Sequence, residues 1–343
     1  MKIIDLRSDT FTLPPPGMRR AMAEAELGDD MVGEDPTVNR LQAMAAELTG
    51  KEAALLTTSG TMGNLLAMLV HCRRGDEVIV GVDSHMVIFE VGGAWSIAGV
   101  GLRTVRNDAR GRLDVAETRA TIRKADFHQP GTALICVENT HNRCAGAVLG
   151  EEDLSAVRDL ADKHSLAMHM DGARIFNAAV ALDVPVSRLA AYADTITFCL
   201  SKGLGAPVGS VLCGPKDFIK AARRWRQTLG GGMRQSGVLA AAGIFALENM
   251  VDRLAEDHEN AQVLAQGLSD IPGIELAPPP MTNLVYFTVE GWEPQLFVDT
   301  LAKHGVLCFD EGGRIRWVTR YGIDRADCEE AVDRLRAMMA AGA

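Results

Sequence analysis

The sequence predicts an α/β fold, with a mostly parallel central sheet in a large domain and a small α+β domain at the C-terminal end. Two observations predict it. Over residues 50–215, short apolar runs ending in polar or glycine-rich turns alternate with longer helix-period segments, the pattern of strands joined by crossover helices. The Pro278-Pro279-Pro280 run then breaks that pattern, and a second, shorter alternation of strands and helices follows it.

The strands of the large domain are expected at Ala53–Leu56, Glu77–Val80, Ala133–Val137, Leu166–His169, Thr195–Leu200 and Ser210–Cys213. Between them, a helix over Met62–Val70 starts behind Thr61 and brings Leu65, Leu66 and Leu69 together, and another covers Leu154–His164. In a doubly wound sheet of this kind, functional groups sit on loops beyond the carboxyl ends of the strands. The Ala-rich stretch Ser236–Glu248, behind Gly230-Gly231-Gly232, predicts a long helix running out of the large domain. Beyond it, strands at Asn283–Val289 and Arg314–Val318 and helices at Glu293–His304 and Arg325–Met339 suit a small α+β unit. The expected division is an N-terminal arm over 1–14, a large domain over 15–247 and a small domain over 248–343, as a chain of 343 residues exceeds the usual single-domain size.

A net charge of −10 argues against a general nucleic-acid or acidic-membrane surface, so any anion site must be local. The seven cysteines are odd in number and form no C-x-x-C pair, and most lie beside apolar residues. They read as reduced thiols, which predicts a cytoplasmic protein. The N-terminus carries charges at positions 2, 5, 7 and 9, and no run reaches the roughly 18 apolar residues that a membrane span requires.

The most informative segment is TITFCLSKGLGAPVGS, Thr195–Ser210, in which an apolar strand delivers Lys202 into a turn containing Gly203, Gly205 and Gly209. A lysine used for Schiff-base chemistry must be partly neutral, and apolar surroundings favour that state. From this segment alone, a solvated loop lysine is the better reading. In Leu166–Asn177, LAMHMDGARIFN, a strand ends in Asp171. An aspartate there could pair with Arg174, could form half a metal site with His169, or could keep the pyridine nitrogen of pyridoxal phosphate protonated. No third or fourth ligand stands at a recognisable spacing, so no metal is expected. The third segment, TTSGTMGN over Thr57–Asn64, opens a helix whose N–H groups and small hydroxyls can cradle a phosphate, or it is a simple N-cap.

Together these segments resemble the fold-type I pyridoxal-phosphate enzymes, and finer text narrows the resemblance to the L-threonine aldolase family of low specificity. The matching segments, in order, are LRSDT (Leu6–Thr10), GDDMVGEDPTVN (Gly28–Asn39), SGTMGN (Ser59–Asn64), ENTHN (Glu138–Asn142), His169–Asn177, LSKGLGAPVG (Leu200–Gly209) and GGGMRQ (Gly230–Gln235). The resemblance implies that Lys202 holds the cofactor as a Schiff base and that Asp171 faces the pyridinium. It implies that Gly60 and Thr61 bind the phosphate, with Arg234 reaching in from a neighbouring subunit. His85 would stack on the ring. Arg174 would contact the ring's phenolic oxygen and, with Ser8 and Arg316, the substrate carboxylate. His128 would lie near the β-hydroxyl, and His85 and His128 are the candidate bases.

Each assignment has a plainer alternative. Arg314 and Arg320 compete with Arg316, the two histidines could be surface or capping residues, and His141 in ENTHN could be a structural hydrogen-bonder. The implied reaction is reversible cleavage of L-threonine, L-allo-threonine and related β-hydroxy-α-amino acids to glycine and an aldehyde, in an obligate dimer or a dimer of dimers. β-Elimination, transamination or a non-catalytic binding role on the same fold are the competing readings. Two positions depart from the family: Val32 stands where a tyrosine is common, and Arg320 where a histidine is frequent.

Overall fold

The computed structural model describes residues 2–276 and 278–340. From the N-terminus, strand β1 (Ile4–Asp5), helices α1 (Pro16–Ala23) and α2 (Pro36–Thr49), β2 (Ala53–Thr57), α3 (Gly60–His71), β3 (Glu77–Gly81), the short α4 (His85–Ile88) and β4 (Gly101–Val105) follow one another. Next come α5 (Val115–Thr121), β5 (Thr132–Glu138), α6 (Glu151–Lys163), β6 (Ala167–Asp171), α7 (Ile175–Leu182), α8 (Val186–Ala190), β7 (Thr195–Cys199) and β8 (Ser210–Gly214). The chain ends with α9 (Lys216–Thr228), α10 (Gly237–Asn249), α11 (Leu254–Ser269), β9 (Ile274–Leu276), β10 (Leu284–Val289), α12 (Pro294–Lys303), β11 (Val306–Leu307), β12 (Phe309–Asp310), β13 (Ile315–Val318) and α13 (Arg325–Ala340).

The main sheet has the order β2-β8-β7-β6-β5-β3-β4, and β8 alone runs against its neighbours. Its central strands are buried on both faces, which is why they appear in the sequence as continuous β-branched and apolar runs. All six predicted strands are present, extended by a residue or two at some ends and shortened at Leu166 and Leu200. The seventh, β4, is an edge strand that, unlike the edge strand β2, is largely uncovered. Its residues Gly101 to Thr104 are exposed or half-buried, so no apolar run marks it.

Two separate apolar clusters form. One joins α2, α7 and α10 to the inner face of the main sheet around Leu41, Ile135, Met170, Ile196 and Phe198. The other lies under the β12-β13-β10-β9 antiparallel sheet, between α11, α12 and α13, around Phe287, Phe297 and Trp317. Ile4 and Leu6 belong to the second cluster, and β1 pairs in parallel with β11, so the first residues of the chain are fastened to its last third. That anchorage carries the next residues, Ser8 and Asp9, to the carboxyl edge of the main sheet.

Candidate active site

The carboxyl ends of β5, β6 and β7 and the start of α3 surround a cavity of about 190 Å³. This is the edge at which parallel α/β sheets hold ligands. Of the residues singled out from the sequence, Lys202, Asp171, Arg174, Gly60, Thr61 and His85 all line it.

Ser59 caps α3, its Oγ accepting from Met62 N at 3.2 Å. The cap and the cradle are therefore one arrangement, because the first-turn N–H groups of Gly60 and Thr61 have no partner within the helix. Gly60 is required by close packing: a Cβ there would stand 2.9 Å from Cys199 Sγ at the end of β7. Lys202 follows β7 in the Leu200–Gly205 turn and lines the cavity beside Ser201.

Asp171, the last residue of β6, is 2 % exposed. Its Oδ1 accepts from Ala173 N at 3.1 Å and its Oδ2 from Asn64 Nδ2 at 2.9 Å. A carboxylate has about four acceptor positions, so two remain for a proton donor in the cavity.

His85 is placed by Glu138 and Glu90. Its backbone N–H donates to Glu138 Oε2 at 2.7 Å, and its Nδ1 lies 3.0 Å from Glu90 Oε1. Burial disfavours the imidazolium, but the bond to Glu90 and the nearby Asp171 outweigh it and raise the pKa above its usual value. Burial also raises the Glu90 carboxyl against the pull of His85. His85, Glu90 and Asp171 bring one ligand-capable atom each within 4.8 Å, a grouping that sequence spacing conceals. Asn64 and His85 Nδ1 engage the carboxylate oxygens of that group as hydrogen-bond partners.

Arg174 is 6 % exposed, and Asp9 grips it by two bonds, from Nε at 2.7 Å and from Nη2 at 2.8 Å. Its remaining nitrogen, Nη1, reaches Asn142 Oδ1 at 3.3 Å. Burial alone would raise the fully buried Asp9 carboxyl; the guanidinium overcomes this and holds it well below the usual carboxylate range. Asn283 adds a bond to Asp9 Oδ2 at 3.3 Å. Arg174 thus pairs with Asp9, not with Asp171, which leaves the Asp171 carboxylate for the cavity.

The other sequence candidates lie elsewhere in this chain. Ser8 is buried beside the site and caps the turn at Asp9, with Oγ 3.3 Å from Thr10 N, but it does not line the cavity. Arg316 is buried on β13, paired with Glu311, and donates to Arg7 O at 3.0 Å. Its competitors are engaged differently: Arg314 lies over the Tyr286 ring, and Arg320 reaches toward Asp5. His128 sits in an exposed loop against Phe127. Arg234 has a 72 % exposed side chain, 3.2 Å from Asp29. His141 is fully buried, and neither ring nitrogen has a hydrogen-bond partner among the described residues.

Pyridoxal phosphate requires a lysine, a carboxylate for its ring nitrogen and an N–H-rich cradle for its phosphate, and the cavity offers all three. The buried Thr140 hydroxyl, which also lines the cavity, has no partner among the described residues and is free for a ligand. The residues fit the group.

Fold and cavity define an α/β protein built to hold a phosphorylated ring beside one lysine. Residues 5–291 match the family model described as Beta-eliminating lyase. The chain is 48% identical to a probable low-specificity L-threonine aldolase 2 of Arabidopsis thaliana over 96% of this chain and 95% of that protein. It is 44% identical to the low specificity L-threonine aldolase of Escherichia coli K12, over 98% and 100%. Among solved structures, Leishmania major threonine aldolase superposes with a TM-score of 0.84 at 21% identity, covering 98% of this chain and 99% of that one. The chain belongs to the low-specificity L-threonine aldolase family, within the beta-eliminating lyases.

Proposed function

We propose that this protein is a pyridoxal-phosphate-dependent aldehyde-lyase that cleaves L-threonine, L-allo-threonine and related β-hydroxy-α-amino acids to glycine and an aldehyde, and that it runs in reverse. The observation that carries this reading is the convergence of Lys202, Asp171, the α3 start and the Asp9-held Arg174 on one cavity.

Bound there, the cofactor supplies an electron sink for a bond broken at the substrate α-carbon. Lys202 would provide the amine that holds it, Asp171 the carboxylate for its ring nitrogen, and Gly60 and Thr61 the N–H groups for its phosphate. Arg174 has a fixed plane because Asp9 occupies one edge, and its Nη1 side remains to bind a carboxylate. Fixing the substrate carboxylate through Arg174 selects which α-carbon bond is aligned for cleavage; Ser8 and Arg316, which do not line the cavity, would join that clamp by turning from Thr10 and Glu311 toward the carboxylate. His85 keeps Nδ1 on Glu90, so Nε2 is the atom available to take the β-hydroxyl proton. His128, and Arg234 for the phosphate, belong to this reading as residues supplied across a subunit boundary, which their exposure in the single chain supports.

A homodimer or homotetramer is part of the same proposal, as are a cytoplasmic location, consistent with seven free cysteines, and the division into 1–14, 15–247 and 248–343, supported by the two apolar clusters. Among the described residues no helix is long and apolar enough to cross a membrane. The test is a stereochemically resolved panel of β-hydroxy-α-amino acids given to cofactor-loaded protein, with aldehyde and glycine both measured. Equal amounts of the two products are expected. Ammonia with a keto acid, or dependence on a keto-acid acceptor, overturns the reading in favour of elimination or transamination.

A further inference from the structure

Behind the cavity, polar side chains that the reading above does not use form one connected chain. Asn64, 1 % exposed on α3, places Nδ2 2.8 Å from Glu90 Oε1 and 2.9 Å from Asp171 Oδ2. Its Oδ1 is 3.1 Å from His169 Nε2. His169 is fully buried on β6, and its Nδ1 lies 2.9 Å from Thr195 Oγ1, which in turn lies 2.8 Å from His71 Nε2.

The donors and acceptors along this chain can be assigned from chemistry alone. Ionised carboxylates only accept, so the amide must present its NH₂ to Glu90 and Asp171; the flipped amide would set a carbonyl against two carboxylates. Asn64 Oδ1 therefore needs a donor, and His169 Nε2 must carry a hydrogen. Burial holds the His169 imidazole neutral, with a pKa lowered to about 3, so its Nδ1 is an acceptor and the Thr195 hydroxyl donates to it. The oxygen of Thr195 then accepts from His71 Nε2–H; His71 is also kept neutral, burial lowering its pKa to about 4.

We propose that Asn64 is a positioning residue for this site. Its amide, locked in one orientation by the His169–Thr195–His71 chain, donates at once to the carboxylate facing the cofactor ring nitrogen and to the carboxylate that orients His85. The inference rests on the cofactor reading above only for its effect on catalysis; the hydrogen-bond directions stand on geometry. Asn64 couples the two carboxylates: losing its two donors makes Glu90 a stronger acceptor for His85 and leaves Asp171 with a single donor, Ala173 N. A residue that merely filled space between α3 and β6 would leave the titration of His85 unchanged.

The experiment is ¹⁵N NMR of the histidine side chains in the purified protein, with and without added pyridoxal phosphate, for the wild type, His169→Gln and Asn64→Leu. The expected results are a neutral Nε2–H tautomer at His169 between about pH 6 and 8, with its signal identified by its loss in His169→Gln, and a His85 pKa raised by about one unit in Asn64→Leu. Affinity for added pyridoxal phosphate falls about tenfold in Asn64→Leu. A protonated or Nδ1–H ring at position 169, or an unmoved or lowered His85 titration in Asn64→Leu, overturns the proposal. If Asn64→Leu does not fold, the wild-type tautomer still decides it. If wild-type protein binds no pyridoxal phosphate, the functional reading fails, whereas the tautomer and the His85 titration still decide this inference.

Discussion

The Asp9 carboxylate holds Arg174 edge-on across 165 positions of sequence, with Oδ2 2.7 Å from Nε and Oδ1 2.8 Å from Nη2, and both side chains are buried. The pair fixes the plane of the guanidinium before any substrate arrives. Asp9→Asn would leave a buried cation with a neutral partner, so a loss of about 3–5 kcal/mol in unfolding free energy is expected. Because Arg174 would then be misaimed, KM for the amino acid should rise more than kcat falls. Denaturant unfolding and steady-state kinetics on the same preparation check both. An unchanged KM would separate Asp9 from substrate binding.

The bond from His85 Nδ1 to Glu90 raises the His85 pKa, and a base must be unprotonated to act. Activity should therefore rise with pH through that raised value. Glu90→Gln removes the charge that favours the imidazolium, so the acidic limb of the kcat/KM profile should move to lower pH by about one unit. A limb that stays in place assigns the base elsewhere.

His169 is neutral in the fold because burial lowers its pKa to about 3, whereas in the unfolded chain it titrates near the ordinary histidine value of about 6.5. Below about pH 6.5 the unfolded state binds the extra proton, so stability is lost as pH falls, until the folded value is reached. His169→Gln removes that proton uptake. Its plot of unfolding free energy against pH should be flatter by up to about 1.4 kcal/mol per pH unit between about pH 4 and 6. Equal slopes for variant and wild type would contradict a neutral His169.

Val32 is 67 % exposed on the short Asp30–Val32 turn and does not line the cavity of its own chain. If this turn faces a neighbouring subunit's site, Val32→Tyr should shift preference from phenylserine toward threonine several-fold, read as a ratio of kcat/KM values. An unchanged ratio removes Val32 from the substrate pocket.

Much of this architecture is legible in the sequence because buried parallel strands are written as local apolar runs, and Lys202, Asp171 and Gly60 each sit at an element end that such runs locate. The edge strand β4 is not legible, because half of it faces outward. The partners of the site residues are hidden for a different reason. Asp9 meets Arg174, Asn64 meets His169 and Asp171, and Glu90 meets His85 and Asn64; apart from the close His85–Glu90 pair, these polar contacts span tens to more than a hundred residues and leave no periodicity. The one available signal is that Asp9 and Asn64 lie inside the LRSDT and SGTMGN segments, which also carry Ser8, Gly60 and Thr61.

The most direct test of the central claim is borohydride reduction of the cofactor-loaded protein followed by peptide mass spectrometry. The account predicts a single pyridoxyl-phosphate addition on the peptide containing Lys202, absent in Lys202→Ala. An addition at another lysine, or an unchanged addition in Lys202→Ala, would contradict it.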